Sequence, residues 1–275
     1  MTAGARERFA TLVDGSEDRI DLAEAALLVA AEEKPGLDVP YYLGQLDTLA
    51  GDAKNWVERA RSDLERLQGL NRFLYSEEGF SGNRKSYYDP RNSFLDEVLE
   101  RRTGLPITLG IVYTEVARRL GLEVHGVCFP AHFLCKLSCE PEIIIDPFDG
   151  EILTRADCEV RLRQTLGDQA NLEAGHLRDA RPREILARLL GNLKHVYIAR
   201  SNLERSLACC DRILMLRPDS PMELRDRGVL YQKLECFAAA RADFERFLQL
   251  APNDPSADAV RGSLVDLHQR TRQIH

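Results

Sequence analysis

The sequence predicts an α+β fold that is mostly helical, with a core that contains a small antiparallel sheet and, after it, an array of helical hairpins. Three observations support this prediction. Apolar residues recur at helical spacing through most of the first 120 residues. β-Branched and aromatic residues gather between about residues 123 and 146, which favours strands. The last third is helical throughout and repeats itself at a fixed period.

The composition is that of a globular protein with one large domain or two ordinary ones, since 44% of the 275 residues are hydrophobic and 29% are charged. No run approaches the ~20 apolar residues of a membrane helix, and the first residues lack the order of a secretion signal. Seven cysteines, an odd number, favour reduced thiols and the cytosol. The net charge of −7 argues against a dominant phosphate-binding role. We therefore expect a cytoplasmic protein without membrane or nucleic-acid partners.

The first 75 residues read as three helices. Residues from about 16 to 50 predict two helices, which Pro35 separates. Asp21 or Ser16 can cap the first helix, and Asp38 can cap the second. The third helix is expected from about residue 53 to residue 75. The stretch 77–91 is polar and rich in loop formers, so it is either a functional loop or a surface excursion. Its candidate pocket residues are Tyr88, Asp89 and Asn92.

The middle of the chain predicts two helices and then strands. Ser93 can cap a helix that Gly104 closes, and Pro106 suits the first turn of the next helix, which Gly121 ends. Residues 123–137 favour a strand that Pro130 breaks or bulges, and residues 142–146 favour a second. An antiparallel strand pair is therefore expected after the second helix.

The C-terminal third repeats every 34 residues, as Tyr197 and Tyr231 (231 − 197) and Pro218 and Pro252 (252 − 218) show. This is the period of the tetratricopeptide hairpin. The second repeat unit fits that pattern better than the first, which carries Lys194, Ser206 and Cys210 where the pattern has Gly, Ala and Phe. Residues 257–272 are expected to form a capping helix. The repeat signature comprises Tyr197, Pro218, Gly228, Tyr231, Ala240, Phe244 and Pro252.

Several segments, in order, resemble the transglutaminase-like core, and in particular the bacterial family that joins such a core to tetratricopeptide repeats and is often named after an invasion regulator (invasion-regulator B type). They are LDV (37–39), YDPRNS (88–93), GLPITLGIVY (104–113), ARRLG (117–121), PAHFL (130–134) and IDPFDG (145–150). The resemblance implies a papain-like core in residues 93–180, with residues 1–92 as its N-terminal helical part and the repeats in residues 181–275.

In active members of that family a cysteine opens the central helix, a histidine on the next strand accepts its proton, and an aspartate on the following strand orients the histidine. The matching residues here are His132 and Asp146. Counting back from the ARRLG segment, the cysteine position falls on Pro106, which has no nucleophile. The resemblance therefore implies a vestigial site made of Pro106, Thr108, His132 and Asp146, with no catalytic residue expected.

Alternatives remain open for these residues. His132 and Asp146 can be a structural pair or line a pocket that binds without reacting, and Thr108 or Cys128 would be the substitute nucleophile. Cys128, His132, Cys135 and Cys139 are all zinc-ligand types. Strand alternation points Cys135 away from His132, so we expect buried apolar thiols and neither metal nor cofactor.

The function expected from this reading is non-catalytic: a transglutaminase-like protein, a pseudoenzyme in a bacterial regulatory role, whose repeat face binds a protein or peptide. The alternative is a cysteine-type transglutaminase, a protease-like enzyme or another amide-handling enzyme with an unrecognised nucleophile. Pro106 at the position of the cysteine disfavours the alternative. The sequence leaves the partner and the oligomeric state undefined.

Overall fold

The structure, a computed structural model, describes residues 3–273 and the side chains of residues 4–267. The chain divides into two units, Met1–Leu189 and Leu190–His275. The finer domain bounds expected from the sequence, 1–92, 93–180 and 181–275, stay a prediction. Among the described residues, no helix combines the length and the apolar character that crossing a membrane requires.

Aspartates cap two of the first helices, as the sequence predicts. The Asp21 side chain accepts the backbone N–H of Glu24, and the Asp38 side chain accepts that of Tyr41. The helices of the first unit are α1 (Ala3–Asp14), α2 (Leu22–Glu33), α3 (Val39–Val57), α4 (Asp63–Asn71), α5 (Leu95–Arg101), α6 (Pro106–Arg119), α7 (Arg155–Leu166) and the beginning of α8 (Pro182–Ala199).

The start predicted for the third helix, at about residue 53, was wrong. Helix α3 continues through residues 51 and 52 to Val57, and the chain breaks only before α4. Ser62 caps α4 by accepting the backbone N–H of Glu65, whose carboxylate reaches back to the backbone of Arg61. A serine followed three residues later by a glutamate is a helix-start signal, and it places the beginning of the next helix after Ser62. A π-helical turn, Arg72–Glu77, follows α4.

Helix α6 is the central helix of the first unit. Eleven of its 14 residues are buried, which is typical of a helix that is covered on all sides. Gly110 allows the sheet to approach closely, because a Cβ atom there would lie 2.4 Å from the ring of Phe133. The helix begins at Pro106 and ends at Arg119, as its expected first-turn proline and the following Gly121 predict.

The main sheet has four antiparallel strands in the order β3-β4-β5-β6, and a short parallel pair, β1-β2, lies apart from it. In the main sheet, Val127 pairs with Leu134, and Cys135 pairs with Ile145. The strands are β1 (Ser81–Gly82), β2 (Thr103–Gly104), β3 (Val124–Val127), β4 (Leu134–Leu137), β5 (Ile143–Asp146) and β6 (Glu151–Leu153).

The predicted strand pair was wrong in number. Residues 123–137 form two strands, because the chain reverses between Phe129 and His132. Pro130 cannot donate a ladder hydrogen bond, and Ala131 takes a left-handed conformation with φ 53°. Strand β6 was not expected; it has three residues, of which Glu151 and Ile152 are exposed and only Leu153 is buried, so it carries little strand signal.

The second unit consists of helical hairpins, which confirms the α+β class followed by a helical repeat array. Its helices after α8 are α9 (Leu203–Leu216), α10 (Pro221–Lys233), α11 (Phe237–Leu250) and α12 (Ala257–Gln273). Pro218 and Pro252 follow the ends of α9 and α11. In the second hairpin, Gly228 faces the fully buried ring of Phe244, and a Cβ atom at Gly228 would lie 2.6 Å from that ring. Among the other signature residues, Tyr197 and Ala240 are buried and Tyr231 is half-buried.

In the first hairpin, the residues at the positions equivalent to Gly228 and Phe244 have their sizes reversed. Lys194 occupies the position of Gly228 and is buried, while Cys210 occupies the position of Phe244. The small thiol leaves space for the lysine stem, and the Lys194 ammonium reaches Glu223 and Asp226 of α10 at 2.7 and 2.9 Å. The large residue therefore stands on α8, the first helix of the first hairpin, and on α11, the second helix of the second hairpin.

Candidate functional site

His132 ends the tight turn between β3 and β4. Its backbone N–H donates to the carbonyl oxygen of Phe129 at 3.1 Å. The left-handed conformation of Ala131 costs about 1–3 kcal/mol at a residue other than glycine, so packing around the turn has to hold it. The turn brings the His132 ring to β5, 14 residues further along the chain.

Asp146 is the last residue of β5 and is almost fully buried. The ring Nε2 of His132 lies 2.9 Å from its Oδ1, which is the hydrogen bond that the sequence predicts. The same oxygen accepts the backbone N–H of Phe148 at 2.9 Å. The other oxygen, Oδ2, accepts from Nη1 of Arg161 at 2.5 Å, and Arg161 also pairs with Glu151. Both oxygens of Asp146 are therefore engaged.

The protonation of this pair follows from its contacts. Burial alone raises the pKa of the Asp146 carboxyl, but hydrogen bonds from His132, Phe148 and Arg161 outweigh burial and hold that pKa below its usual value. An ionised carboxylate only accepts hydrogen bonds. Nε2 of His132 therefore carries a hydrogen, and Nδ1 is the ring nitrogen left to face another group.

A buried polar network anchors the β5–β6 turn that follows Asp146. The Tyr75 hydroxyl donates to the Pro147 carbonyl at 2.8 Å, and the Asn71 side-chain amide donates to the Gly150 carbonyl at 2.8 Å. The Tyr113 hydroxyl donates to Asn71 at 2.6 Å. Burial raises the pKa of both tyrosines well above the usual value, so both remain protonated donors. The π-helical turn that carries Tyr75 thus fixes the position of Asp146.

Pro106 and Thr108 lie in the first turn of α6, and both are buried. Pro106 has neither a side-chain nucleophile nor a backbone N–H. The Thr108 hydroxyl lies 2.7 Å from the Asn92 carbonyl and 3.1 Å from the Leu105 carbonyl, and it accepts the Leu105 N–H at 3.0 Å. This hydroxyl therefore closes the start of the helix and holds the preceding loop.

The loop residues expected to form a pocket have three different local roles. The fully buried Asn92 donates its amide to the carbonyls of Ser86 and Tyr87 and so closes the loop on itself. Asp89 accepts the backbone N–H of Arg91 and pairs with its guanidinium. Tyr88 is 75% exposed. A pocket shared by Tyr88, Asp89 and Asn92 stays a prediction.

The cysteines near the site differ in their surroundings. Cys135 is fully buried, with its sulfur 3.8 Å from the Gly110 carbonyl, and burial strongly raises the pKa of its thiol. Cys128 is half-buried and follows β3, on a different strand from the one that His132 precedes. Within the described part of the chain, no group of three or more His, Cys, Asp or Glu side chains could hold a metal ion.

Sequence reasoning missed two arginines beside this site. Arg161, in α7, pairs with Asp146, and Arg188, in α8, donates from Nη1 to the Phe129 carbonyl at 2.7 Å. Arg161 stands in a charged helical segment where an arginine is unremarkable. Arg188 lies 59 residues from its partner. Periodicity carries no signal for either contact.

Comparison with known families gives two matches, which together span most of the chain. The profile of the Transglutaminase-like superfamily matches residues 41–191. The profile of the Tetratricopeptide repeat matches residues 193–264. The first match contains His132, Asp146, Arg161 and Arg188, and the second contains the repeat signature.

Whole-length relatives are similar to the chain as well. A UPF0162 protein of Xylella fastidiosa (strain 9a5c) is 41% identical over 277 residues, covering 96% of each chain. Protein SirB1 of Salmonella typhimurium is 30% identical over 252 residues, covering 90% of this chain and 94% of the relative. UPF0162 protein YchA of Escherichia coli K12 is 28% identical over 267 residues, covering 96% and 99%. The likeness therefore extends through the core and the repeats together.

Proposed function

The chain belongs to the Transglutaminase-like superfamily, in the family of SirB1 and the UPF0162 proteins that adds tetratricopeptide repeats to the core, and from this premise we propose that it is a non-catalytic protein that acts by binding another protein in a regulatory role. The observation that carries the proposal is Pro106, buried at the helix position where active members place their cysteine. A cytosolic location, favoured by the odd number of cysteines, is part of the proposal.

The electrostatics of the site support inertness. In a catalytic triad the orienting carboxylate stabilises the imidazolium that forms when the histidine takes a proton. Here Asp146 shares its charge with Arg161, which lies as close to the carboxylate as His132 does. The carboxylate therefore does not serve His132 alone, and the Thr108 hydroxyl is occupied by backbone partners.

The repeats supply the binding surface of the proposal. Among the described residues of the second unit, every exposed large apolar side chain lies on α8, α10 or α12, and none lies on α9 or α11. These side chains are Ile198, Met222, Val229 and Val265. Alternate helices of a hairpin array share one face. Exposed apolar groups gathered on that face are suited to an apolar partner surface.

Two experiments test the proposal. In the first, the full-length protein is incubated with amine and glutamine substrates and with peptide and acyl substrates, with and without iodoacetamide. We expect no turnover. Iodoacetamide-sensitive turnover that disappears in Cys128→Ala would instead establish the alternative, an enzyme with a substituted nucleophile.

The second experiment compares partner capture from native lysate by three full-length proteins. We expect Met222→Glu, which places a charge on the repeat face, to lose the partners that the wild-type protein retains. Val160→Glu is the matched control, because Val160 is similarly exposed but lies on α7 in the first unit. Equal capture by Met222→Glu and the wild-type protein would contradict binding through this face.

A further inference from the structure

The turn that positions His132 also holds an arginine. The Phe129 carbonyl accepts both the His132 backbone N–H at 3.1 Å and Nη1 of Arg188 at 2.7 Å. Arg188 is half-buried, and no carboxylate among the described side chains pairs with it. A guanidinium has five N–H donors, so most of the hydrogen-bonding capacity of Arg188 remains available beside His132.

An aromatic side chain completes the surroundings of this arginine. The Tyr87 ring lies 6.3 Å from the ring of Phe148, whose backbone N–H donates to Asp146. Burial raises the pKa of the Tyr87 hydroxyl, and the positive charge of Arg188 opposes that rise, so the two groups lie within electrostatic range. A chain of contacts thus runs from Arg188 through Phe129, His132, Asp146 and Phe148 to Tyr87, which lies in the electrostatic field of Arg188.

Among the arginines near these contacts, Arg188 differs in having no carboxylate partner among the described side chains. Asp146 and Glu151 pair with Arg161, and Asp149 pairs with Arg84 at 2.5 Å. Lys85, exposed on the same loop as Tyr87, adds positive potential nearby. Arg188 is therefore the guanidinium here that can pair with a carboxylate of a ligand.

We propose that Arg188, His132 and Tyr87 form a binding site for a carboxylate group of a peptide, either a Glu or Asp side chain or a chain terminus. Arg188 pairs with the carboxylate in the bidentate geometry that suits a planar guanidinium. The free Nδ1 of His132 accepts a hydrogen bond from a neighbouring peptide N–H, and the Tyr87 ring packs against the apolar part of the ligand. A monoanion matches one unpaired cation, whereas a phosphate dianion would face Asp146 and Asp149 with too little positive charge.

The inference rests on the proposed function in one respect, since the site is to bind a peptide without reacting with it.

The test is a nuclear magnetic resonance titration of the full-length protein, which follows the His132 ring and the Arg188 side chain. The probes are N-acetylglutamate α-amide for a side-chain carboxylate and N-acetylglycine for a chain terminus. N-acetylglutamine α-amide is the neutral isostere, and inorganic phosphate is the dianion. We expect at least one carboxylate probe, at millimolar concentration, to change the chemical shifts of both the His132 ring and the Arg188 side chain. The stronger of the two carboxylate probes identifies the source of the group.

Variants separate a specific site from general charge attraction. Arg188→Gln keeps an N–H that can reach the Phe129 carbonyl but removes the charge, and we expect about tenfold weaker binding, the loss of about one charge-assisted hydrogen bond. Arg188→Lys keeps the charge but not the planar guanidinium, so its affinity should lie between those of the wild-type protein and Arg188→Gln. Arg181→Gln, an exposed arginine just before α8, is the control and should bind as the wild-type protein does.

Three results would overturn the site. They are an absence of shifts with either carboxylate, equal binding by the glutamine isostere or phosphate, and equal losses in Arg188→Gln and Arg181→Gln. Each of these leaves the proposed function intact, because the turnover assay and the repeat-face variant test it separately. Conversely, iodoacetamide-sensitive turnover would contradict the proposed function, while the titration could still show that the site binds a carboxylate.

Discussion

The guanidinium of Arg161 lies 2.5 Å from Oδ2 of Asp146, the carboxylate whose other oxygen holds His132. This contact changes what the pair can do. An aspartate that serves histidine alone can stabilise an imidazolium, whereas this carboxylate divides its two oxygens between His132 and Arg161. The His132–Asp146 geometry resembles that of the histidine–aspartate pair of a triad, and Arg161 adds a further partner to the carboxylate.

Asp146 makes the stability of the protein depend on pH. Its pKa in the folded state lies below the usual value of 3.8, so its stabilising contribution is present above that value and is lost as the pH falls through the folded-state pKa. We expect Asp146→Asn to unfold about 1.5–3 kcal/mol more easily at neutral pH, the range for a hydrogen bond to a charged group. Below about pH 4 the difference between the two proteins should shrink.

Urea unfolding at several pH values measures this difference, with Asp149→Asn as the control for removing an exposed carboxylate of the same turn. If the free-energy gap between wild type and Asp146→Asn were constant from neutral to acidic pH, Asp146 would not be stabilised by its charge.

Restoring a thiol at position 106 should not restore catalysis. Pro106→Cys places the thiol at a buried position in the first turn of α6, and the aspartate that binds His132 is shared with Arg161. We expect slow alkylation by iodoacetamide and no turnover of amide substrates. The exposed Cys236 provides the internal reference for rapid alkylation. Alkylation at residue 106 faster than at Cys236, with new turnover, would show that the base is competent after all.

The Thr108 hydroxyl should matter for stability rather than for chemistry. Thr108→Val removes this partner from the Leu105 N–H and the Asn92 carbonyl, which still bond to each other at 3.3 Å, at a cost of about 0.5–1.5 kcal/mol. Thr114→Val is the control, since the Thr114 hydroxyl, in the same helix, contacts only carbonyls of the preceding turn. Thermal unfolding compares the two variants. Equal effects would mean that the bridge to Asn92 contributes nothing.

In the second hairpin, the close approach of Gly228 and Phe244 predicts a coupled pair. Phe244→Ala should cost about 3–5 kcal/mol of unfolding free energy, because it removes a fully buried ring. Tyr231→Ala should cost less, because the Tyr231 ring is half-buried. Gly228→Ala should cost about 1–3 kcal/mol, because its Cβ would meet the Phe244 ring. The double variant Gly228→Ala, Phe244→Leu should lose less than the sum of its single changes. Strict additivity in urea unfolding would mean that the two residues do not interact.

The first hairpin offers the complementary test. Lys194→Met should remove the ammonium while keeping the stem, so that Glu223 loses this cation while Asp226 keeps its pairing with Arg225. Breaking a buried pair by removing one partner costs about 3–5 kcal/mol, a figure that the part-exposed carboxylates reduce. The measurement is the free energy of unfolding at low and high salt. A variant as stable as the wild-type protein at low salt would show that the stem alone holds this hairpin.

Much of the fold could be predicted because its signals are local. Caps such as Asp21 and Asp38 lie within three residues of the groups that they bind. The 34-residue period reflects a unit that recurs along the chain. Where the prediction was wrong, the deciding feature was a turn: Ser62 restarts a helix, and Ala131 in a left-handed conformation divides one expected strand into two.

The sequence by itself determined that Pro106 stands where a cysteine would be needed and that His132 and Asp146 remain, because residue identity decides whether a nucleophile exists. Only the tertiary structure decided what these residues contact. Arg161 and Arg188 reach Asp146 and Phe129 across 15 and 59 residues of chain. Which charges meet at such separations depends on how the helices pack onto the sheet, and hydrophobic periodicity specifies the buried faces but not the polar contacts at their edges.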